Sequence, residues 1–232
     1  MTAALIFLLA VIGIALWWLS HQRLTSKPWL ESGLDSVEDG ADGIDMPKAK
    51  IGLIVFLAVV GTLFALFTSG YFMRQEMSDW RAMPLPPVLW LNTGLLVFGS
   101  ISLHFALIAA RNDDLDAVKN RLGLACIFTI GFLTGQIVAW MQLVANGFVL
   151  TENPATSFFY LITGIHGLHI IGGLVALSRT TLSARRHGAV MNLLRPRIEL
   201  CALYWHFLLF VWIVVLAAML GWLSDPFFNA AH

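Results

Sequence analysis

The sequence predicts an all-α membrane protein of six transmembrane helices. Two observations carry this. First, charge is scarce: 58% of the 232 residues are hydrophobic and only 12% are charged, where a soluble domain carries about 25% charged residues. Too little polar surface remains to cover a water-soluble globule, so the apolar surface has to face lipid. Second, six stretches meet the requirement of about 20 apolar residues to cross about 30 Å of hydrocarbon. They are 3–20, 51–73, 90–110, 122–143, 157–178 and 200–223, and none contains an Asp, Glu, Lys or Arg. The 14 basic and 14 acidic residues all fall between them or beyond them.

Taken in order, the first stretch (domain 1–23) resembles a secretory signal in its apolar run. It lacks a basic leader segment and ends in Trp17-Trp18-Leu19-Ser20-His21 without a small-residue cleavage pattern, so it reads as a retained helix. Residues 24–47 follow as an acidic linker. Glu31, Asp35, Glu38, Asp39, Asp42 and Asp45 and three glycines, with no apolar period, predict a flexible solvated tether. The remaining five stretches form one bundle, 48–232. On the first of these, Ala58, Gly61, Ala65 and Thr68 recur at spacing 3, 4, 3. Gly131 and Gly135 make a small-xxx-small pair on the fourth stretch, and Gly172 and Gly173 lie on the fifth. Such residues let helix backbones approach closely.

The loops give the orientation. Twelve of the fourteen basic residues lie in loops one, three and five: Arg23, Lys27, Lys48 and Lys50, then Arg111, Lys119 and Arg121, then Arg179, Arg185, Arg186, Arg195 and Arg197. The positive-inside rule puts these loops in the cytoplasm and both termini outside. Trp80, Trp90 and Trp222 then sit at the outer interface, which amphipathic rings favour.

Polar side chains inside the spans are costly unless partnered. They include His104, Gln136, His166, His169, Tyr204 and His206, with Trp205 beside them. At ~1.5 Å rise per residue, His104 on the third stretch and His206 on the sixth share a layer in the cytoplasmic half, with His169 close to it. Two readings follow. In one, facing histidines ligate a b-type haem. In the other, the imidazoles hydrogen-bond across helices and tie the bundle together, with His206 facing the bundle. A di-metal centre would recruit carboxylates, and no span supplies one.

Other classes are excluded more simply. The net charge is zero, with no basic stripe for nucleic acid. Cys126 and Cys201 form no CxxC pair and read as small buried hydrophobes. There is no Walker loop, nucleophile triad or H-E-x-x-H motif, and no intramembrane acid from which to build a proton relay.

The segment 147–177, GFVLTENPATSFFYLITGIHGLHIIGGLVAL, resembles subunit III of cytochrome c and quinol oxidases, most specifically in Phe159 through His169. So do Glu199-Leu200, Tyr204-Trp205-His206-Phe207 and Val211-Trp212 on the last stretch, and Leu91-Asn92-Thr93 with Ser102-Leu103-His104 on the third. The likeness runs from about 48 to 223 in the family's order. It implies a five-helix bundle docked on the catalytic subunit I of a haem-copper oxidase. Haem and copper would reside in that partner, and this chain would bind no redox cofactor. The family member supports assembly and stability, holds phospholipid between helices and helps sustain proton uptake by its neighbour. His104, Gln136, His166, His169, Glu199, Tyr204, Trp205 and His206 are then interhelical contacts or lipid-cleft residues.

The chain departs from the family pattern at three positions. Val60, Ala139 and Leu209 stand where the family often has an intramembrane acid, so no role of those acids carries over. The first stretch and the acidic linker also lie outside the resemblance. Two other readings remain beside the oxidase subunit: an accessory subunit of nitric oxide reductase from a related branch, and a self-contained b-type cytochrome using His104 and His206.

Overall fold

A computed structural model describes residues 46–81, 83–149, 153–186 and 190–222. The first apolar stretch and most of the acidic linker lie outside the described residues. Among those described, five α-helices follow one another: α1 (Met46–Gln75), α2 (Val88–Arg111), α3 (Leu115–Ala145), α4 (Pro154–Arg185) and α5 (Met191–Met219). All five are long and apolar enough to cross a membrane. They match the last five expected spans, while a sixth helix has no counterpart among the described residues.

The helices overrun the expected spans at the end rich in basic residues, while the last helix ends at Met219, short of the expected 223. α4 continues to Arg185 and α5 begins at Met191, so most of the expected fifth loop is helical. Hydropathy reports only the part inside hydrocarbon. Helices of 24 to 32 residues reach roughly 36–48 Å at 1.5 Å per residue, beyond a core of about 30 Å. Backbone groups outside the core still gain by remaining helical.

Local signals fix the boundaries. Asp114 caps α3 by accepting a hydrogen bond from the Ala117 amide (2.9 Å). Asn153 caps α4 through the Ala155 amide (3.2 Å), with Pro154 in the first helical position; proline's missing N–H costs nothing there. α3 ends in a Schellman motif. Gly147 takes φ +85°, its amide bonds the Val144 carbonyl, and the Phe148 amide bonds that of Leu143 (3.0 Å). That φ is strained for any residue with a Cβ.

Helices α2, α3, α4 and α5 form a ring in which each packs on its two neighbours, and α1 lies against α4 and α5. Trp205, Trp212, Phe132 and Phe159 are the largest side chains fully buried inside. α1 is the least buried of the five. It contributes Val60 and Phe64 to a cluster with Ile162, Val211 and Val215.

Small residues set two of the contacts. A methyl group added at Gly173 on α4 would lie 2.4 Å from Tyr204 Cε1 and 2.8 Å from Trp205 Cζ3 on α5. One added at Gly135 on α3 would lie 1.9 Å from Asn92 Oδ1 on α2. By contrast, Gly61, Ala65 and Thr68 mark no tight crossing. They line a groove of about 770 Å³ between α1 and α5, where Phe207 comes no nearer than 3.5 Å to a methyl built on Gly61.

Gly173→Ala is expected to force α4 from α5 and destabilise the bundle by ~1–3 kcal/mol, the usual cost of overpacking. Gly172→Ala, with nothing within 4 Å, serves as the control. Thermal unfolding in detergent checks this: a lowered midpoint for Gly173→Ala alone is the expected result.

Candidate functional site

The interior polar groups fall into three sets. The first locks helices together through two matching relays. Trp212 Nε1 on α5 donates to Thr93 Oγ1 on α2 (2.9 Å), and that hydroxyl donates to the Leu89 carbonyl (2.8 Å). Trp140 Nε1 on α3 donates to Thr163 Oγ1 on α4 (3.1 Å), which donates to the Phe159 carbonyl (2.6 Å). A threonine hydroxyl has one proton and two lone pairs. Bonding back to its own helix leaves it free to accept an indole N–H from a neighbour. Tyr204 adds a third tie, its hydroxyl donating to the His169 carbonyl (2.9 Å). Asn92 Nδ2 reaches Gln136 Oε1 (3.4 Å) across α2 and α3.

The second set is the histidines, and here the expectation of imidazole hydrogen bonds across helices is corrected. His169 and His206 each bond through Nδ1 to the carbonyl four residues back in their own helix, Ile165 and Ala202. His166 is 1% exposed, and neither ring nitrogen has a hydrogen-bond partner. It is held by ring packing instead: Trp212 at 5.1 Å between centroids, Phe132 at 5.8 Å and Phe64 at 6.0 Å. His104 and His206 do share a layer, with ring centroids 6.0 Å apart. Both are exposed on the outer face of α2 and α5, so His206 does not face the bundle interior as expected. His169 lies against Phe56 (6.4 Å) and Phe64 (5.7 Å) of α1. Its depth matches the pair, but it points to another side of the bundle.

These positions bear on the haem reading. Bis-histidine ligation needs a macrocycle between the two rings. His104 and His206 sit on helices that pack directly on each other, and the Trp212–Thr93 bond joins the same two helices at another level.

The third set lies at the helix ends. Glu199 on α5 pairs with Lys50 on α1 (2.8 Å). Arg195 bonds Asp113 Oδ1 (2.8 Å) and the Ala110 carbonyl (2.7 Å), pinning the start of α5 to the α2–α3 turn. At the opposite end, Arg74 pairs with Asp79, and Asn153 Nδ2 donates to the Arg81 carbonyl (2.6 Å). Asn153 thus caps a helix and clamps a loop at once. Of the roles described here, those of Thr93, Thr163, Trp140, Trp212 and Asn153 were not expected from sequence. Thr93, Asn153, Thr163 and Trp212 fall within the segments that carry the family likeness, but periodicity does not reveal which hydroxyl meets which indole.

Fold and interior together define a polytopic helical membrane subunit in which a set of polar side chains holds helices to one another. A family model described as cytochrome c oxidase subunit III matches residues 48–224. The chain is 31% identical over 169 residues to cytochrome c oxidase subunit 3 of Synechocystis sp., covering 71% of each chain. It is 29% identical over 183 residues to the probable cytochrome c oxidase subunit 3 of Nocardia farcinica, covering 73% of this chain and 86% of that one. To the cytochrome bo(3) ubiquinol oxidase subunit 3 of Buchnera aphidicola it is 27% identical over 189 residues, covering 78% and 90%. The chain belongs to the cytochrome c oxidase subunit III family.

Gly135→Ala is expected to break the Asn92–Gln136 contact and lower the unfolding midpoint in detergent. Adding Asn92→Ala to that background removes the clashing oxygen and should recover part of the loss. Strict additivity of the two substitutions would show that the contact is not what Gly135 protects.

Proposed function

We propose that the chain is the non-catalytic third subunit of a respiratory terminal oxidase, in which oxygen reduction is coupled to proton translocation. It docks on the catalytic subunit I, which carries the haem and copper, and supports that subunit's assembly and stability. It lies in the bacterial cytoplasmic membrane as a multi-pass protein, with the basic end inside and both termini outside. The domain division follows the same lines: an extra membrane helix over 1–23, a cytoplasmic linker over 24–47, and the five-helix bundle from 48 onward.

The observation that carries this reading is how the family's motif residues are used. Asn92, Thr93, Thr163, Tyr204, Trp205 and Trp212 are all engaged in contacts between helices. A chain whose motifs maintain its own packing suits a structural role in a larger complex. The groove between α1 and α5 supports the lipid-holding part of the role. Its lining is mostly apolar, with Phe64, Phe72, Phe207 and Phe210 along it, and Thr68, Ser69 and Glu76 as its polar members. A phospholipid acyl chain fits that chemistry.

The exposed His104–His206 pair favours a docking surface on the α2–α5 face. Imidazoles are costly against lipid tails and less so against a protein partner that hydrogen-bonds them. His206→Ala is therefore expected to lower the yield of assembled complex several-fold. The complex that does assemble should keep its full haem absorption, read by reduced-minus-oxidised difference spectra. An assembled complex that had lost a haem would refute the structural role.

The direct test is affinity purification of the tagged chain in mild detergent, followed by mass spectrometry and an absorption spectrum. Recovery with a haem- and copper-containing oxidase subunit is expected. Recovery with a nitric oxide reductase instead, or as a lone red haem protein, would overturn the reading.

A further inference from the structure

The packing that holds α2 to α5 leaves one pair of side chains unused. His104 and His206 lie on these two adjacent helices. Both are exposed, with ring centroids 6.0 Å apart and planes 59° from parallel. His206 bonds through Nδ1 to the Ala202 carbonyl of its own helix. A carbonyl only accepts, so Nδ1 carries the proton and Nε2 presents a lone pair. Metal-ligating histidines are oriented in the same way, by donating the other ring N–H to a carbonyl. His104 touches the Phe105 ring (6.3 Å) and makes no hydrogen bond among the described residues. Either of its nitrogens is therefore free to face a ligand.

The separation of the rings selects a coordination geometry. Two imidazoles can share one ion through nitrogens at about 2.0 Å, with about 1.1 Å more to each ring centre. Their centroids then stand about 5 Å apart at a tetrahedral angle and about 6 Å apart in a line. The observed 6.0 Å matches the linear arrangement. Near-linear two-coordination is the habit of monovalent closed-shell ions, and imidazole is a ligand that suits copper among them. Charge points the same way. Both ligands are neutral, and the cost of an ion in a low-dielectric medium rises with the square of its charge, so a dication would cost about four times as much as a monocation. An ion needs only a gap between the rings, not the room a macrocycle demands.

We propose that His104 and His206 form a two-coordinate site for Cu(I) that ties α2 to α5 on their outward face. The ligands are His206 Nε2 and one nitrogen of His104, and the Ala202 carbonyl fixes the tautomer of His206. Binding is by lone-pair donation alone, with no change of oxidation state. The site depends only on residues of this chain and does not rest on the oxidase reading.

The test uses the full chain in mild detergent, carrying a tag without histidine, under anaerobic reducing conditions. Cu(I) is titrated against a chromophoric Cu(I) chelator. His104→Gln and His206→Gln should each hold one equivalent less than the native chain, and the double variant should lose no more than either. Cu(I) held by Cys126 or Cys201 adds equally to every chain and cancels in the difference. His169→Gln, on another side of the bundle, should keep the native count. Cu(I) and Ag(I) should also raise the thermal unfolding midpoint more in the native chain than in His104→Gln, as a ligand of the folded state does. Zn²⁺ should make no such distinction. His104 and His206 are exposed, and unchanged helicity by circular dichroism verifies folding. An undiminished count in either His104→Gln or His206→Gln would overturn the site, as would an equal loss in His169→Gln. Because the chain is tested alone, a failed site leaves its role in a complex untouched.

Discussion

The close approach of α4 to α5 at Gly173 is the constraint on which much of the bundle depends. In lipid there is no hydrophobic drive between helices, so association rests on packing and on polar contacts. With no side chain at Gly173, α5 presses Tyr204 and Trp205 against the backbone of α4. Trp205 is fully buried as a result, and Tyr204 comes within reach of the His169 carbonyl. The seat of α1 follows from this. Phe56 stacks near Tyr204 (6.4 Å) and His169, and Phe64 lies on His169 and His166. If α4 and α5 moved apart, the aromatic surface on which α1 rests would be lost, and with it the α1–α5 groove.

The rest of the ring is held by pairs that satisfy two demands at once. An indole N–H cannot stay unbonded cheaply in hydrocarbon, and neither can a threonine hydroxyl. Trp212 with Thr93 and Trp140 with Thr163 settle both, and each pair bridges two helices. His166 is the contrasting case. Its nitrogens have no partner, and it is enclosed by Trp212, Phe132 and Phe64. Ring packing of this kind contributes about 0.5–1.5 kcal/mol per aromatic pair, enough to offset part of the cost of the unbonded nitrogens.

Much of this was legible in the amino-acid sequence, and what escaped has identifiable causes. Five spans are evident because uncharged runs of that length have no other stable place. Their true ends were hidden because Arg185 and Asn192 are polar yet still helical, and polarity marks the edge of hydrocarbon rather than of a helix. That His104 and His206 share a layer followed from depth alone. The separation of His169 did not, because depth fixes a residue's height and says nothing of the direction it faces around the bundle. Likewise Gly135 and Gly61 look equivalent as small residues. Only the opposing side chains, Asn92 in one case and Phe207 in the other, make the first a tight crossing and the second the wall of a groove.

Val60, Ala139 and Leu209, where the resemblance led to an expectation of acids, are filled by packing. Val60 packs with Phe64, Ile162, Val211 and Val215. Ala139 is fully buried in the cluster around Phe132 and Trp212, and Leu209 lies against the same cluster. A carboxylate at Val60 or Ala139 would lose its water and meet only hydrocarbon, and an unpaired buried charge is strongly destabilising. Apolar residues there and the neutral polar network around them are thus parts of one solution. The chain locks its helices through Asn92, Thr93, Thr163, Trp140, Tyr204 and Trp212 and fills Val60, Ala139 and Leu209 with packing. The outward faces, with His104 and His206 on one side and Arg185 on another, are where the described residues place polar chemistry toward the surroundings.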